Sequence, residues 1–129
     1  MNVVVDASAL AAFVFQEPEG ETIRDRLAGA TVFAPALLRY ELANTALKKA
    51  RQQPEDAARI LTALAIALDG KSDLVWTDVD ARDVVLLAQA TNLTAYDASY
   101  VWLAGALGAD LVTLDGPMGK AIDTLASPT

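Results

Sequence analysis

Short apolar runs separated by helical stretches, repeated from one end of the chain to the other, limit its possible folds more than any other feature. "NVVV" (2–5) is a β-branched run stopped by Asp6, "TVFA" (31–34) is followed by Pro35, and "LVW" (74–76) is briefer still. "ADLVTLD" (109–115) closes the pattern with a strand and a turn at Asp115-Gly116. Runs this short with no polar alternation suit strands buried on both faces, as in a parallel sheet. Helical patterns fill the intervals: "SALAAFVF" (8–15), then "PEGETIRDRLAG" (18–29) with acids in its first turn and Gly29 at its end. Further helices are expected over 36–51, from Pro54 to Leu68, over 80–92 and over 97–107. Strand–helix alternation predicts an α/β sandwich around a parallel sheet. In such sheets, sites gather at the carboxyl ends of the strands.

Helical spacing also picks out inward faces. Leu38, Leu42 and Ala46 form one stripe, and Ala57, Ile60, Leu61, Leu64 and Leu68 recur on the next helix. Val84, Leu87 and Ala88 should face inward from 80–92. Residues 97–107 are apolar nearly all round, which predicts a helix buried on several sides.

A length of 129 residues suits one domain, expected over 1–125 with a loose tail at 126–129. At 53% hydrophobic residues, the chain can bury a core without covalent staples. No window approaches 18 uninterrupted apolar residues, so no membrane span is expected. The N-terminal stretch has no basic region and is interrupted by Asp6, unlike a signal peptide. The absence of cysteine excludes disulfides and thiolate metal sites, and fits a reducing cytoplasm. The absence of histidine leaves carboxylates, hydroxyls, lysine or water for any acid–base or metal chemistry. A net charge of -7 argues against broad electrostatic attraction to nucleic acid.

Four acids stand out by position. Asp6 and Asp115 each follow a strand, Asp97 opens the most apolar helix, and Glu41 lies in the second turn of another. Each has an ordinary alternative. Asp6 could cap the helix beginning near Ser8, although Ser8 would serve equally well. Asp97 could be a plain N-cap, and Asp115 before Gly116 is a common turn pair. Glu41 is harder to explain in this way. Its neighbours at three and four residues are Leu37, Leu38, Asn44 and Thr45, and neither Arg39 nor Lys48 is placed to pair with it. An unpaired buried carboxylate costs several kcal/mol, so Glu41 needs a cation or strong donors nearby. All four acids could point into one crevice, where they would repel unless something positive sat among them. Hard oxygen ligands with no soft ones favour Mg²⁺ or Mn²⁺, ions that polarise phosphoryl oxygens and generate hydroxide near neutral pH.

The ordered segments that carry these acids are "VVVDAS" with Asp6, "APALLRYELANTALKKA" with Glu41, "TAYDASYVWLA" with Asp97, and "LVTLDG" with Thr113 and Asp115. In order, spacing and context they resemble the PIN-domain ribonucleases, specifically the VapC-type toxins of VapBC toxin–antitoxin systems, over essentially residues 1–125. The resemblance implies a PIN-like three-layer α/β/α sandwich with a central parallel sheet of four to five strands, commonly dimeric. It implies Mg²⁺- or Mn²⁺-dependent hydrolysis of RNA and a small antitoxin that plugs the acidic groove. Asp6, Glu41 and Asp97 would bind metal, Asp115 would complete the cluster, and Thr113 and Ser8 would support it with their hydroxyls. One departure is visible: the segment after Asp115 lacks the β-branched run of a last edge strand, so that strand is expected to be short or absent.

Local bases offset the acidic total. Arg39, Lys48, Lys49 and Arg51 lie on or just past the Glu41 helix, and Lys120 follows Asp115. Arg39, Lys48 and Lys120 are the candidate RNA contacts, against the alternative that the helix-end bases simply complement its dipole. Ala43, Leu47, Ile66 and Ala67 form outer stripes, half of them expected as core and the rest as a dimer or antitoxin surface. Other α/β hydrolase classes fit poorly. A haloacid-dehalogenase-type phosphohydrolase needs a second acid where Ser8 stands, and there is no Gly-rich phosphate loop. The remaining rival is a catalytically idle PIN-fold module acting only through protein contacts.

Overall fold

Three consecutive valines make β1 (Asn2–Val5) the axis of the molecule. Val3, Val4 and Val5 are 2%, 0% and 0% exposed; since successive strand side chains point to opposite faces, both faces of β1 are covered. The computed structural model describes residues 1–69 and 73–126. On one side β1 pairs in parallel with β2 (Thr31–Ala34), which pairs in turn with β3 (Leu74–Trp76). On the other side β1 pairs in parallel with β4 (Asp110–Val112). The order β3-β2-β1-β4 means the chain moves outward from β1 in one direction, then returns to its opposite flank. The boundary between β1 and β4 is therefore the switch point of an open parallel sheet, and ligands bind outside the strand carboxyl ends at such points.

Seven α-helices surround the sheet among the described residues. α1 (Ala7–Val14), α2 (Gly20–Leu27), α3 (Leu37–Gln52) and α4 (Ala57–Leu68) pack on one another. α5 (Ala81–Thr91), α6 (Ala95–Leu107) and α7 (Gly116–Ala126) form the second group, with α6 against β1 and β4. The result is the expected three-layer α/β/α sandwich, with four strands. The segment lacking a β-branched run is α7, capped through Asp115 Oδ1 accepting from Met118 N–H at 3.0 Å. The tail expected to be loose begins at the last residue of α7; residues 127–129 lie outside the described ones.

Most inward faces are where the spacing put them. Leu38, Leu42, Ala46, Ile60 and Val84 are buried, and α6 buries Ala98, Ser99, Tyr100, Val101, Leu103 and Ala104. Leu61 differs. It is half exposed because Ile60, with Leu64 and Leu68, already supplies the inner stripe of α4 and Leu61 lies one residue round the helix. The outer stripes divide: Leu47 and Ile66 are exposed, whereas Ala67 packs on the core.

Gly20 starts α2 against the backbone of α1. A Cβ there would stand 2.3 Å from the carbonyl oxygen of Ala12, which is fixed inside a helix and already accepts from Glu17 N–H. Gly20→Ala should therefore separate α1 from α2 and lower stability by roughly 1–3 kcal/mol, as overpacking does. Urea denaturation measures it; an unchanged midpoint would mean the two helices tolerate a wider gap.

Candidate active site

Val5 and Val112 are paired residues at the carboxyl ends of β1 and β4, so Asp6 and Thr113 leave the sheet side by side. Asp6 N–H still bonds to Val112 O at 3.2 Å, which fixes the backbone at the point where the two chains diverge. The Asp6 side chain is 3% exposed and well supplied with donors. Ala9 N–H reaches Oδ1 at 2.9 Å, making Asp6 the N-cap of α1. Ser8 Oγ donates to both oxygens, at 2.8 and 3.0 Å, and Thr113 Oγ1 donates to Oδ2 at 2.6 Å. Ser8 thus supports the cap and does not replace it. Its oxygen also accepts from Leu114 N–H at 3.1 Å, while Thr113 Oγ1 accepts from Asp115 N–H at 2.9 Å. The two hydroxyls therefore tie β1's end to the loop that carries Asp115.

Asp97 is not a cap. Thr94 takes that role, its Oγ1 accepting from Asp97 N–H at 3.1 Å, and α6 begins two residues earlier than the apolar run suggested. The Asp97 carboxylate, in the first turn and half buried, makes no side-chain hydrogen bond or ion pair among the described residues. Glu41 does find the donor its setting demands: Tyr100 O–H donates to its Oε1. Sequence reading missed Tyr100, which looks like one more apolar residue of α6. The signal was its place three residues after Asp97, on the same helical face.

The acids lie near enough to feel one another's charge. Burial raises the Asp6 carboxyl above its ordinary value; the Thr113, Ala9 and Ser8 bonds lower it, and the Asp115 charge raises it again. Glu41 is raised by burial against the lowering Tyr100 bond, then by the charges of Asp97 and Asp6. Asp97 is raised by burial, then by Asp115 and Asp6. Tyr100 is pushed far up, chiefly by burial and by its bond to Glu41, so it stays a donor at any working pH. No basic side chain figures among these influences, and the ion pairs seen among the described residues lie elsewhere. As they stand, no three acids among the described residues already have the spacing of a metal cage. The donor set nevertheless fits a hard cation: carboxylate oxygens only, mutually repelling, with no internal counter-charge.

The candidate RNA contacts do not cluster with the acids in one way. The Arg39 guanidinium lies 3.8 Å from the centroid of the Trp76 ring, half buried, while Lys48 and Lys120 are exposed. Lys49 is paired with Glu17 at 2.8 Å.

Thr113→Val is a direct probe of the scaffold. It keeps the shape but removes the donor to Asp6 Oδ2 and the acceptor for Asp115 N–H. A stability loss of roughly 1–3 kcal/mol is expected, with divalent-ion affinity down by about 10–100-fold. Thermal melts with and without Mn²⁺ measure both; no change in either would show that the hydroxyl is incidental.

An α/β/α sandwich whose switch point lies beside four acids that feel one another's charge matches the family comparison. The PIN domain model covers residues 3–121, and the chain belongs to the PIN domain family. It is similar to Ribonuclease VapC3 of Pyrobaculum aerophilum, at 32% identity over 132 residues that cover 99% of this chain and 100% of that protein. The crystal structure of PAE2754 from Pyrobaculum aerophilum is also similar, with a TM-score of 0.73 at 28% identity over 97% of this chain and 95% of that one. The resemblance to VapC-type PIN ribonucleases carried by the ordered acids is borne out.

Proposed function

We propose that the protein is a metal-dependent endoribonuclease that hydrolyses RNA phosphodiester bonds and acts as the toxin of a type II toxin–antitoxin pair. The observation that supports this reading is the mutual charge effect among Asp6, Glu41, Asp97 and Asp115 near the switch point, with no basic side chain among the influences on them in the described residues. Likeness to a protein named as a VapC ribonuclease supports the substrate class. Asp6, Glu41 and Asp97 would hold Mg²⁺ or Mn²⁺. When bound, such an ion supplies polarisation of a phosphoryl oxygen and a more acidic water.

The chain's own groups do the remaining work. Ser8 and Thr113 fix Asp6, and Tyr100 fixes one oxygen of Glu41. Asp115 has one oxygen bound to Met118 N–H, and the other would be left for water or a second ion. Four of the 17 acids would share this site, and one or two divalent ions would offset half or all of their charge, so phosphate could approach. Lys48, Lys120 and Arg39 would hold the RNA backbone, with Arg39 braced on Trp76. An acidic groove also suits an Arg or Lys from a cognate antitoxin. Exposed Leu47 and Ile66 offer apolar area for that partner or for a homodimer. No helix among the described residues is long and apolar enough to cross a membrane, and the reading places the protein in the cytoplasm.

The test is cleavage of total RNA by purified protein with Mn²⁺, with EDTA, and across a salt series. Cleavage that EDTA stops and that falls steeply with salt is expected. Cleavage indifferent to EDTA would overturn the metal assignment, and intact RNA throughout would favour the catalytically idle module.

A further inference from the structure

Beside the acids lies an apolar groove of about 430 Å³ whose lining includes Leu37, Thr77, Asp78, Val79, Val84 and Tyr96. Small-molecule sites have this size and this mix of apolar wall with few polar groups. Two helices, α3 and α6, contribute to both sites. On α3, Leu37 in the groove precedes Glu41 in the acid cluster by four residues, one stripe and about 6 Å of helix rise. On α6, Tyr96 and Asp97 are adjacent, so their side chains diverge by about 100° around the axis. Asp97 shares its face with Tyr100, which bonds to Glu41, while Tyr96 turns into the groove. Tyr96 is 65% exposed, an aromatic face with little protein on it.

We propose that this groove is a nucleobase subsite: it takes the base of a nucleotide next to the phosphate held at the acids. This rests on the ribonuclease reading and adds a source of substrate selection to it. Leu37 and Glu41 lie one helical turn apart and Tyr96 and Asp97 are adjacent, so the groove directly neighbours the acids, and single-stranded RNA is held by stacking of bases on aromatic side chains. The polar rim states a preference. The Thr77 hydroxyl donates to Val75 O at 3.2 Å and the Ser99 hydroxyl to Tyr96 O at 2.6 Å, so both donors are already used. Apart from the Tyr96 hydroxyl, what the rim leaves for a base edge is acceptors, above all the exposed Asp78 carboxylate. Bases with an exocyclic amine (adenine, cytosine and guanine) therefore fit better than uracil.

The experiment uses fluorescein-labelled single-stranded hexaribonucleotides of A, C or U, with anisotropy reading binding in Mg²⁺ and gels reading cleavage of the same samples. The A and C oligomers should bind more tightly than U. Tyr96→Ala should weaken them by roughly 5–150-fold, the range for loss of one stacked base. Tyr96→Phe and Tyr96→Trp should restore binding, and Asp78→Asn should erase the preference over U. Binding unchanged in Tyr96→Ala overturns the subsite while cleavage by the wild type upholds the ribonuclease. Tyr96-dependent binding without any cleavage does the reverse. If Tyr96→Ala alters self-association in sedimentation and leaves RNA binding alone, the groove is an interface between copies and the subsite is overturned.

Discussion

Asp97→Asn should cut RNA cleavage by about 10²–10⁴-fold while leaving the protein folded. The reason is a separation of roles that is unusual for a residue in the first turn of a helix. Thr94 caps α6 through the backbone of Asp97, so the carboxylate itself supports no part of the fold. It only adds negative charge beside Glu41 and makes up the cluster with Asp6 and Asp115. Replacing it with a neutral amide of the same shape removes a ligand and relieves repulsion. Activity should collapse while the melting temperature of the metal-free protein holds or rises. Asp6→Asn would be a poor substitute for this experiment. Three donors converge on the Asp6 carboxylate, and an amide nitrogen would face at least one of them, so fold and function would fail together. Gel assays on folded Asp97→Asn measure the effect; cleavage within about tenfold of wild type would remove Asp97 from the chemistry.

Stability should respond to pH and metal in opposite ways. The carboxyls of Asp6, Glu41 and Asp97 are all raised above the ordinary carboxylate range, first by burial and then by the charges of neighbouring acids, Asp115 among them. A carboxyl raised on folding binds its proton more tightly in the native state than in the unfolded chain. Stability therefore falls as pH climbs from the unfolded values through the raised folded ones, and is recovered on mild acidification. Without divalent ions the protein should melt higher near pH 5 than at pH 7.5. A cation that supplies the missing charge reverses the trend. At a hundredfold its Kd it contributes about 2.7 kcal/mol, roughly 10 °C in melting temperature for a domain of this length. Calorimetric melts at the two pH values, with EDTA and with Mn²⁺, measure both effects. A metal-free protein that is more stable at pH 7.5 would mean that the acids do not repel in the folded state.

The sheet and the acids were legible because they depend on local signals. Asp6 terminates a run of valines, and a parallel strand must place its next residue at the carboxyl edge, whatever lies further along. The β4 end was equally clear, since Thr113 and Asp115 follow a short apolar run. Contacts between distant segments were not. Nothing in "ELANTA" or "DASYVW" states that Tyr100 reaches Glu41, because that bond spans 59 residues and needs α3 and α6 to be set against the sheet first. Asp97 was read as a possible cap because Asp is a good cap in isolation; Thr94 won the position. Leu61 fitted the apolar period and still faces outward, since periodicity marks a stripe but not its width. Arg39 is a candidate RNA contact by sequence, and only the fold brings Trp76 beneath it.

The most direct test is a calorimetric titration of Mn²⁺ into the wild-type protein and into Asp97→Asn at pH 7. Saturable heat in the wild type that vanishes in the variant is the expected result, because distant carboxylates would be acting as one ligand set. Equal heats in both proteins, or none in either, would mean that the shared negative space at the end of β1 and β4 is not built around an ion.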